Sequence, residues 1–308
     1  MTEGPRRDTR GIVGAPDLFA RVRFRRREPA AALRPYLEHY WLIDWELAEP
    51  YAAHVVPHPS VNLVFQRYDA GDAPRDRSGY AEVAGVAPAL FTRELAGRGR
   101  VCGVQFRPGG FRPFAPEHAV ADLTGRRVDA ADVLRTPPPV DAVLDPDDED
   151  ARVAALDACL LALEPRPDPR AALAMAAVDR IRDDRTVRRV DGLARDTGLS
   201  ARSLQRLFSA YVGVGPKWVI LRYRIHEALE AAASGPEIDW ARLAADLGYS
   251  DQAHLVRDFT ATVGATPTAF APHGHAPPAR PGKPLAAPPP PVASWPGERT
   301  RDHRRSSP

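Results

Sequence analysis

Between residues 193 and 267 the chain carries one helix-turn-helix pattern twice. The first copy runs Leu193, Ala194, Gly198, Leu199, Ser200, Leu204, Phe208, Gly213 and Pro216. The second runs Leu243, Ala244, Gly248, Tyr249, Ser250, Leu255, Phe259, Gly264 and Pro267. The offset is 50 residues from Leu193/Leu243 through Ser200/Ser250 and 51 from Phe208/Phe259 through Pro216/Pro267, which predicts one extra residue early in the second helix of the second copy. Glycine in each turn reaches positive φ without a steric penalty. The serine two residues later can accept bonds from the free backbone donors of the next helix. A region written this way is restricted to helices that meet at short turns.

In the first copy, Thr186 to Arg195 reads as a supporting helix with Val187, Val190 and Ala194 turned inward. Leu204, Leu207, Phe208 and Tyr211 then recur at three- and four-residue spacing and define the buried stripe of the second helix. The remaining face presents Arg202, Ser203, Gln205, Arg206 and Ser209. Arginine pairs with guanine and glutamine with adenine on major-groove edges, so this face has the chemistry of a base reader. In the second copy Trp240, Leu243, Ala244 and Leu247 support, Ser250 is the expected cap, and Leu255 and Phe259 anchor the reading helix. Gln252, Ala253 and Arg257 are its candidates for base contact, and Asp251 and Asp258 weaken its attraction for phosphate. Ser200, Lys217 and Ser250 are the candidates for phosphate contact.

A helix from Pro216 to Ala233 joins the copies, with proline at its favoured first position. Its expected apolar stripe is Trp218, Leu221, Ile225, Ala228, Leu229 and Ala232, which leaves Lys217, Arg222 and Arg224 on other surfaces within reach of phosphate. About 18 residues at ~1.5 Å each make a strut of roughly 27 Å. With the bulk of the flanking units, that length suits two reading helices one DNA turn apart, ~34 Å.

Residues 170–271 resemble the DNA-binding domain of the AraC/XylS family. The resemblance lies in "LARDTGLSARSLQRLFSAYVGVGP" and "LAADLGYSDQAHLVRDFTATVGATPTAF". It implies a seven-helix domain with two helix-turn-helix motifs, promoter DNA as the partner and a role in transcription regulation. By position it places base contacts at Arg202, Gln205 and Arg206 and at Gln252, Ala253 and Arg257. The second motif departs from the family near Leu255, where an aromatic residue is usual.

Upstream, short apolar runs at Tyr40–Trp45, Val61–Gln66, Tyr80–Val86 and Val101–Arg107 alternate with Pro and Gly and read as strands. Residues 30–135 resemble a small β-rich domain of unknown function that is fused to AraC-type modules, through "LRPYLEHYW", "HVVPHPSVNLVF" and "GVQFRPGGFRPF". Here His58-Pro59-Ser60 replaces an expected Pro-Asp-Gly. The fold class is therefore α+β: a β-rich N-terminal domain followed by an all-α DNA-binding domain. Expected boundaries are a flexible N-terminus over 1–15, a β-rich sensor or dimerisation domain over 16–140, a helical linker over 141–169, the double helix-turn-helix domain over 170–271 and a disordered Pro-rich tail over 272–308. Within the linker, Asp147 or Asp148 can cap a helix that buries Val153, Leu156 and Leu160.

Other constellations read more simply as structure. His54 and His58 lack a third metal ligand, so no metal site is assigned. Arg107-Pro108-Gly109-Gly110 could hold an anion, but a strand-ending turn is the simpler reading. Tyr36, Tyr40, Trp41 and Trp45 could line a pocket, but core packing is favoured. With 44% hydrophobic and 27% charged residues, the chain can build a sizeable core. No apolar run approaches membrane-spanning length, and the polar first ten residues lack a secretory signal, so a cytoplasmic protein is expected. The net charge of +2 supplies little general attraction for nucleic acid, so locally placed arginines must carry it.

The leading expectation is a sequence-specific regulator that reads two adjacent major grooves, needs no cofactor and has no catalytic residues. A small-molecule effector, a second copy of the chain and, for an activator, RNA polymerase are its further candidate partners. The alternative from the enzyme class is a DNA-linked alkyl-transfer protein using Cys102. It requires an activated thiolate, and neither Cys102 nor Cys159 has a neighbour in sequence that would supply one.

Overall fold

The computed structural model describes residues 11–68, 79–234 and 238–267. Ten α-helices and seven strands occur among them: β1 (Ile12–Val13), α1 (Ala15–Phe19), β2 (Val22–Arg27), β3 (Leu37–Val55), β4 (Asn62–Tyr68), β5 (Tyr80–Ala84), β6 (Phe91–Phe106), α2 (Val120–Leu123), β7 (Arg127–Asp129), α3 (Val140–Leu144), α4 (Glu149–Leu161), α5 (Pro169–Asp183), α6 (Val190–Asp196), α7 (Ala201–Tyr211), α8 (Pro216–Ser234), α9 (Trp240–Asp246) and α10 (Gln252–Val263). The α+β class is as the sequence indicates. Six of the helices lie in the C-terminal region, and the helical assignment resumes at Pro267, the last described residue.

The strands form one antiparallel sheet in the order β1-β3-β6-β4-β5-β7, with β2 also paired to β3. β3 and β6 are its long central pair. The register between them shifts between Leu47 and Tyr51, the stretch that contains Pro50. Proline has no amide hydrogen for the ladder, so a bulge is where a strand this long tolerates it. Alternation sends Tyr40, Leu42, Leu63, Phe65, Val83, Cys102, Val104 and Phe106 to one face, where they share a core with residues of α2, α3 and α4. Trp45, Val64, Leu95 and Val101 pack on the other face. There Trp41 lies over Gly103 and Trp45 over Gly99, their directly opposed cross-strand partners. A Cβ at either glycine would meet the indole at 2.0 Å, so only glycine fits beneath these rings.

Several expectations change at the edges of this sheet. The N-terminus expected to be flexible through residue 15 is ordered from Gly11: Ile12 and Val13 pair with Val55 and His54, and Ala15 opens α1. The segment expected to be a linker packs instead of spanning. Val143, Leu144, Val153, Leu156, Cys159, Leu160 and Leu163 all join the main core of the sheet. Asp148 caps α4, accepting from the amide of Ala151 at 2.8 Å. Arg152, only 2% exposed, reaches Asp44 on β3 at 3.2 Å, and Asp44 also receives Arg25 and Arg100. Burial works against the Asp44 carboxylate, but bonds from Arg25 and Arg100 and the charge of Arg152 hold it below its ordinary pKa. Breaking such a pair from one side leaves a buried charge uncompensated, a cost of about 3–5 kcal/mol. The stretch Asp69–Gly79, charged and turn-rich and so expected from the sequence as an exposed loop, lies outside the described residues except for Gly79, and the expected tail over 272–308 does so entirely.

Candidate nucleic-acid interface

Both turns close with one hydrogen-bond pattern. In the first, Gly198 (φ +67°) donates to Arg195 and Leu199 donates to Ala194. In the second, Gly248 (φ +76°) donates to Ala245 and Tyr249 to Ala244. This is a Schellman stop, in which a left-handed residue satisfies the last carbonyls of the supporting helix. Those supporting helices, α6 and α9, are each 7 residues long. Thr186 to Arg189, expected to be helical, stand before α6, and Val187 is buried from the preceding turn.

The caps then differ. Ser200 caps α7, its Oγ accepting from the amide of Ser203 at 3.1 Å, as the sequence predicts. In the second unit the cap is Asp251, whose carboxylate accepts from the amide of His254 at 2.7 Å. Ser250 stands one residue outside the helix and bonds Asp251 and His254 with its hydroxyl. Ser250 is thus corrected as the cap, and the extra residue of the second copy is moved from the helix to the turn. A carboxylate is a stronger acceptor and complements the positive end of the helix dipole, so it takes the position. That backbone bond from His254 is the leading cause holding the Asp251 pKa below its ordinary value.

The buried stripe of α7 is Leu204, Leu207, Phe208 and Tyr211. Arg202, Gln205, Arg206 and Ser209 are exposed, and Ser203 is half-buried beside the cap. α10 buries Leu255, Phe259 and Val263 and exposes Gln252, Ala253 and Arg257. Counting from the caps, the positions of Arg202, Gln205 and Arg206 recur as Ala253, Val256 and Arg257. The first unit therefore offers two guanidiniums and an amide where the second offers one guanidinium and two apolar groups. Asp258, expected to repel phosphate, lies 3.8 Å from the His254 ring nitrogen. Ser200, Lys217 and Ser250 are all exposed.

The joining helix α8 departs from its expected stripe. Val219, Ile220, Tyr223 and His226 are buried with Ile225, Ala228, Leu229 and Ala232, whereas Trp218 and Leu221 are half-buried. Arg222, expected at the surface for phosphate, is 5% exposed. Its guanidinium lies over the Trp218 ring at 4.3 Å and donates to the Pro88 carbonyl at 2.8 Å. Burial pulls its pKa down to about 10. Arg224 is half-buried, and burial lowers its pKa as well. The side of α8 that carries Arg222 and His226 is thus covered by the N-terminal domain through Pro88, Pro57 and His58, a packing that helical periodicity does not encode.

The N-terminal constellations resolve as contacts. Arg107 donates to Pro35 and pairs with Asp179 of α5 at 2.5 Å, and Gly110 closes a turn onto the Arg107 carbonyl. Tyr36 packs edge-on against Phe114 at 5.5 Å, and Tyr40 is fully buried with its hydroxyl on Asp157. His54 bonds Thr92, and His58 stacks on His226 at 4.1 Å. No group of three metal-ligating side chains occurs among the described residues. Cys102 and Cys159 are buried thiols, and burial pushes each pKa up to about 11. A thiol at that value is almost wholly protonated at neutral pH and is a poor nucleophile. No helix among the described residues is long and apolar enough to cross a membrane.

Comparison with known proteins matches residues 25–129 to a domain of unknown function, DUF6597, and residues 193–272 to a helix-turn-helix domain. No curated protein matches the chain. Among solved structures, fatty-acid-bound ToxT from Vibrio cholerae is 12% identical, covering 79% of this chain and 96% of that one at a TM-score of 0.39. The C-terminal domain of AraT, a response regulator from Geobacillus stearothermophilus, is 20% identical, covering 34% and 85% at a TM-score of 0.31. The chain joins a DUF6597 domain to a C-terminal helix-turn-helix domain.

Proposed function

We propose that the protein is a sequence-specific transcription regulator whose α7 and α10 enter two adjacent major grooves of promoter DNA, and whose N-terminal domain modulates that binding through a ligand or self-association. The observation that carries the reading is the pair of identically closed turns, each followed by a capped helix with an exposed polar face. α8, 19 residues and about 28 Å long, is the strut between them. Arg202, Ser203, Gln205 and Arg206 read one half of the site, and Gln252, Ala253 and Arg257 the other. Ser200, Lys217 and Ser250 flank these faces as phosphate contacts. The N-terminal domain extends through Leu163 on this reading, because α3 and α4 share its core.

A gel-shift competition over single-base variants of a bound site tests the assignment. Arg206→Ala should lose about 1–3 kcal/mol and relax its preference at one base pair. Unchanged affinity and preference in that variant would remove Arg206 from the interface. The alkyl-transfer alternative has little physical support at Cys102, where burial disfavours the thiolate it needs.

A further inference from the structure

The two helix-turn-helix units differ in where their hydrophobic cores come from. The core of the first is drawn entirely from residues 171–223, with α5 supplying Ala171, Ala174, Ala177, Val178 and Ile181. The second has no such extra helix. Its core combines Ile225, Ala228 and Leu229 of α8 with residues of α9 and α10, and it includes Val56, a fully buried residue that follows β3. Val13 of β1 and Leu90, just before β6, pack against the same cluster.

Val56 is held firmly from its own side. Its amide donates to Gly11 at 2.7 Å, and Val13 is in register with His54 two residues away. Around it the contact is close: the His226 ring stacks on His58 within 7° of parallel, and Arg222 donates to Pro88. A Cβ at Gly11 would meet the Val56 oxygen at 2.6 Å and the His226 ring at 3.0 Å, so the N-terminal segment lies directly on α8. The first unit also touches the N-terminal domain, where Arg112 lies over the Tyr211 ring at 4.7 Å, Val120 lies against Gly213 and Gly109 against Ala174, but no residue of that domain joins its buried core. Polar links add Arg107 to Asp179, Arg182 to Glu38 at 3.1 Å, and Thr124 to the Gly213 carbonyl at 2.8 Å.

We propose that Val56 is a positioning residue for the second reading helix: the sheet domain supplies part of that unit's core, so its packing sets where α10 sits, while α7 is held by a core of its own. The proposal rests on the two-groove reading above for its consequence at DNA, but its structural half stands without it. Interiors are close-packed and transmit small displacements, so a shift of the strand end at Val56 reaches α10 through the core they share. A signal received in the N-terminal domain would thereby alter one half of the binding site selectively.

Hydrogen exchange on the full chain tests the structural half. Val56→Ala should speed exchange in residues 252–263 on the order of tenfold and leave 201–211 unchanged, because the cavity opens in only one of the two cores. Val56→Ile is the conservative control and should retain protection. Val83→Ala, made in the main core of the sheet, controls for general weakening of the domain and should not single out α10. Equal acceleration of both helices, no acceleration of α10, or the same pattern from Val83→Ala would overturn the proposal. The DNA half is read by footprinting on a duplex selected from a random pool by the unmodified protein. Val56→Ala should lose protection in one groove and keep it in the other. If the unmodified protein protects only one groove, the two-groove reading fails, and the exchange result still decides the role of Val56.

Discussion

The two helix-turn-helix units share one turn geometry but differ in the side chains they expose and in support. The first closes on a serine cap, exposes Arg202, Gln205 and Arg206, and encloses a core of its own. The second closes on an aspartate cap, exposes Gln252, Ala253 and Arg257, and completes its core with Val56. Turn geometry is thus the constant part of the motif, set by glycine and a capping acceptor. The exposed faces and the cores around it differ, and the copy with fewer polar side chains on its exposed face is also the one whose core takes in a residue of the other domain.

The largest expected effect lies within that other domain. Asp44→Ala leaves Arg152 of α4 buried against the sheet without its carboxylate and should cost about 3–5 kcal/mol in urea unfolding. Like Val83→Ala it weakens the sheet domain generally, so local exchange should not single out α10 over α7; acceleration confined to α10 would break the contrast drawn for Val56. Arg206→Ala should cost about 1–3 kcal/mol at a cognate site. Arg257→Ala, with fewer polar neighbours to share its groove, should cost less. A larger loss at Arg257 would reverse the ranking of the two readers. The caps should behave alike despite their different chemistry: Ser200→Ala and Asp251→Ala each lose about 1 kcal/mol of stability. Ser250→Ala, outside its helix, should stay within about 0.5 kcal/mol when all three variants are compared by thermal unfolding.

A separate effect is a pH dependence. Burial, with the nearby charge of Arg26, pushes the His39 pKa down to about 3 from an ordinary 6.5. The folded state keeps this ring neutral while the unfolded chain protonates it, so stability falls progressively as pH drops below about 6.5. Urea midpoints at pH 7 and pH 5 should separate in the unmodified protein and draw together in His39→Gln. Midpoints that separate equally in both would assign the loss to other groups.

Much of the C-terminal architecture was legible in the chain because it is written locally. Gly198 and Gly248 mark turns within a few residues of the helices they join, and the three- and four-residue spacing through Leu204 and Phe208 marks the buried stripe. What was not legible depends on distant partners. Arg222 looks like a surface charge until Pro88, far back in the chain, covers it. The segment from 141 to 169 reads as a linker because its proline-rich borders are visible, whereas its attachment through Arg152 and Asp44 is not. Ser250 and Asp251 both have capping chemistry at adjacent positions, and sequence alone gives no means of choosing between them. Val56 carries no sequence signal at all, being one valine among many until the packing of α8 is known.

The displaced cap has a consequence for anyone who would exchange reading helices between the two units. Successive residues of an α-helix are about 100° apart around its axis. A graft aligned by counting fifty residues would turn every transplanted side chain by that angle, presenting core leucines to solvent and arginines to the interior. Counting fifty-one, from Ser200 to Asp251, keeps the faces in phase. The single inserted serine therefore acts as a frame marker, and the two halves of this duplicated segment are interchangeable parts only when it is respected.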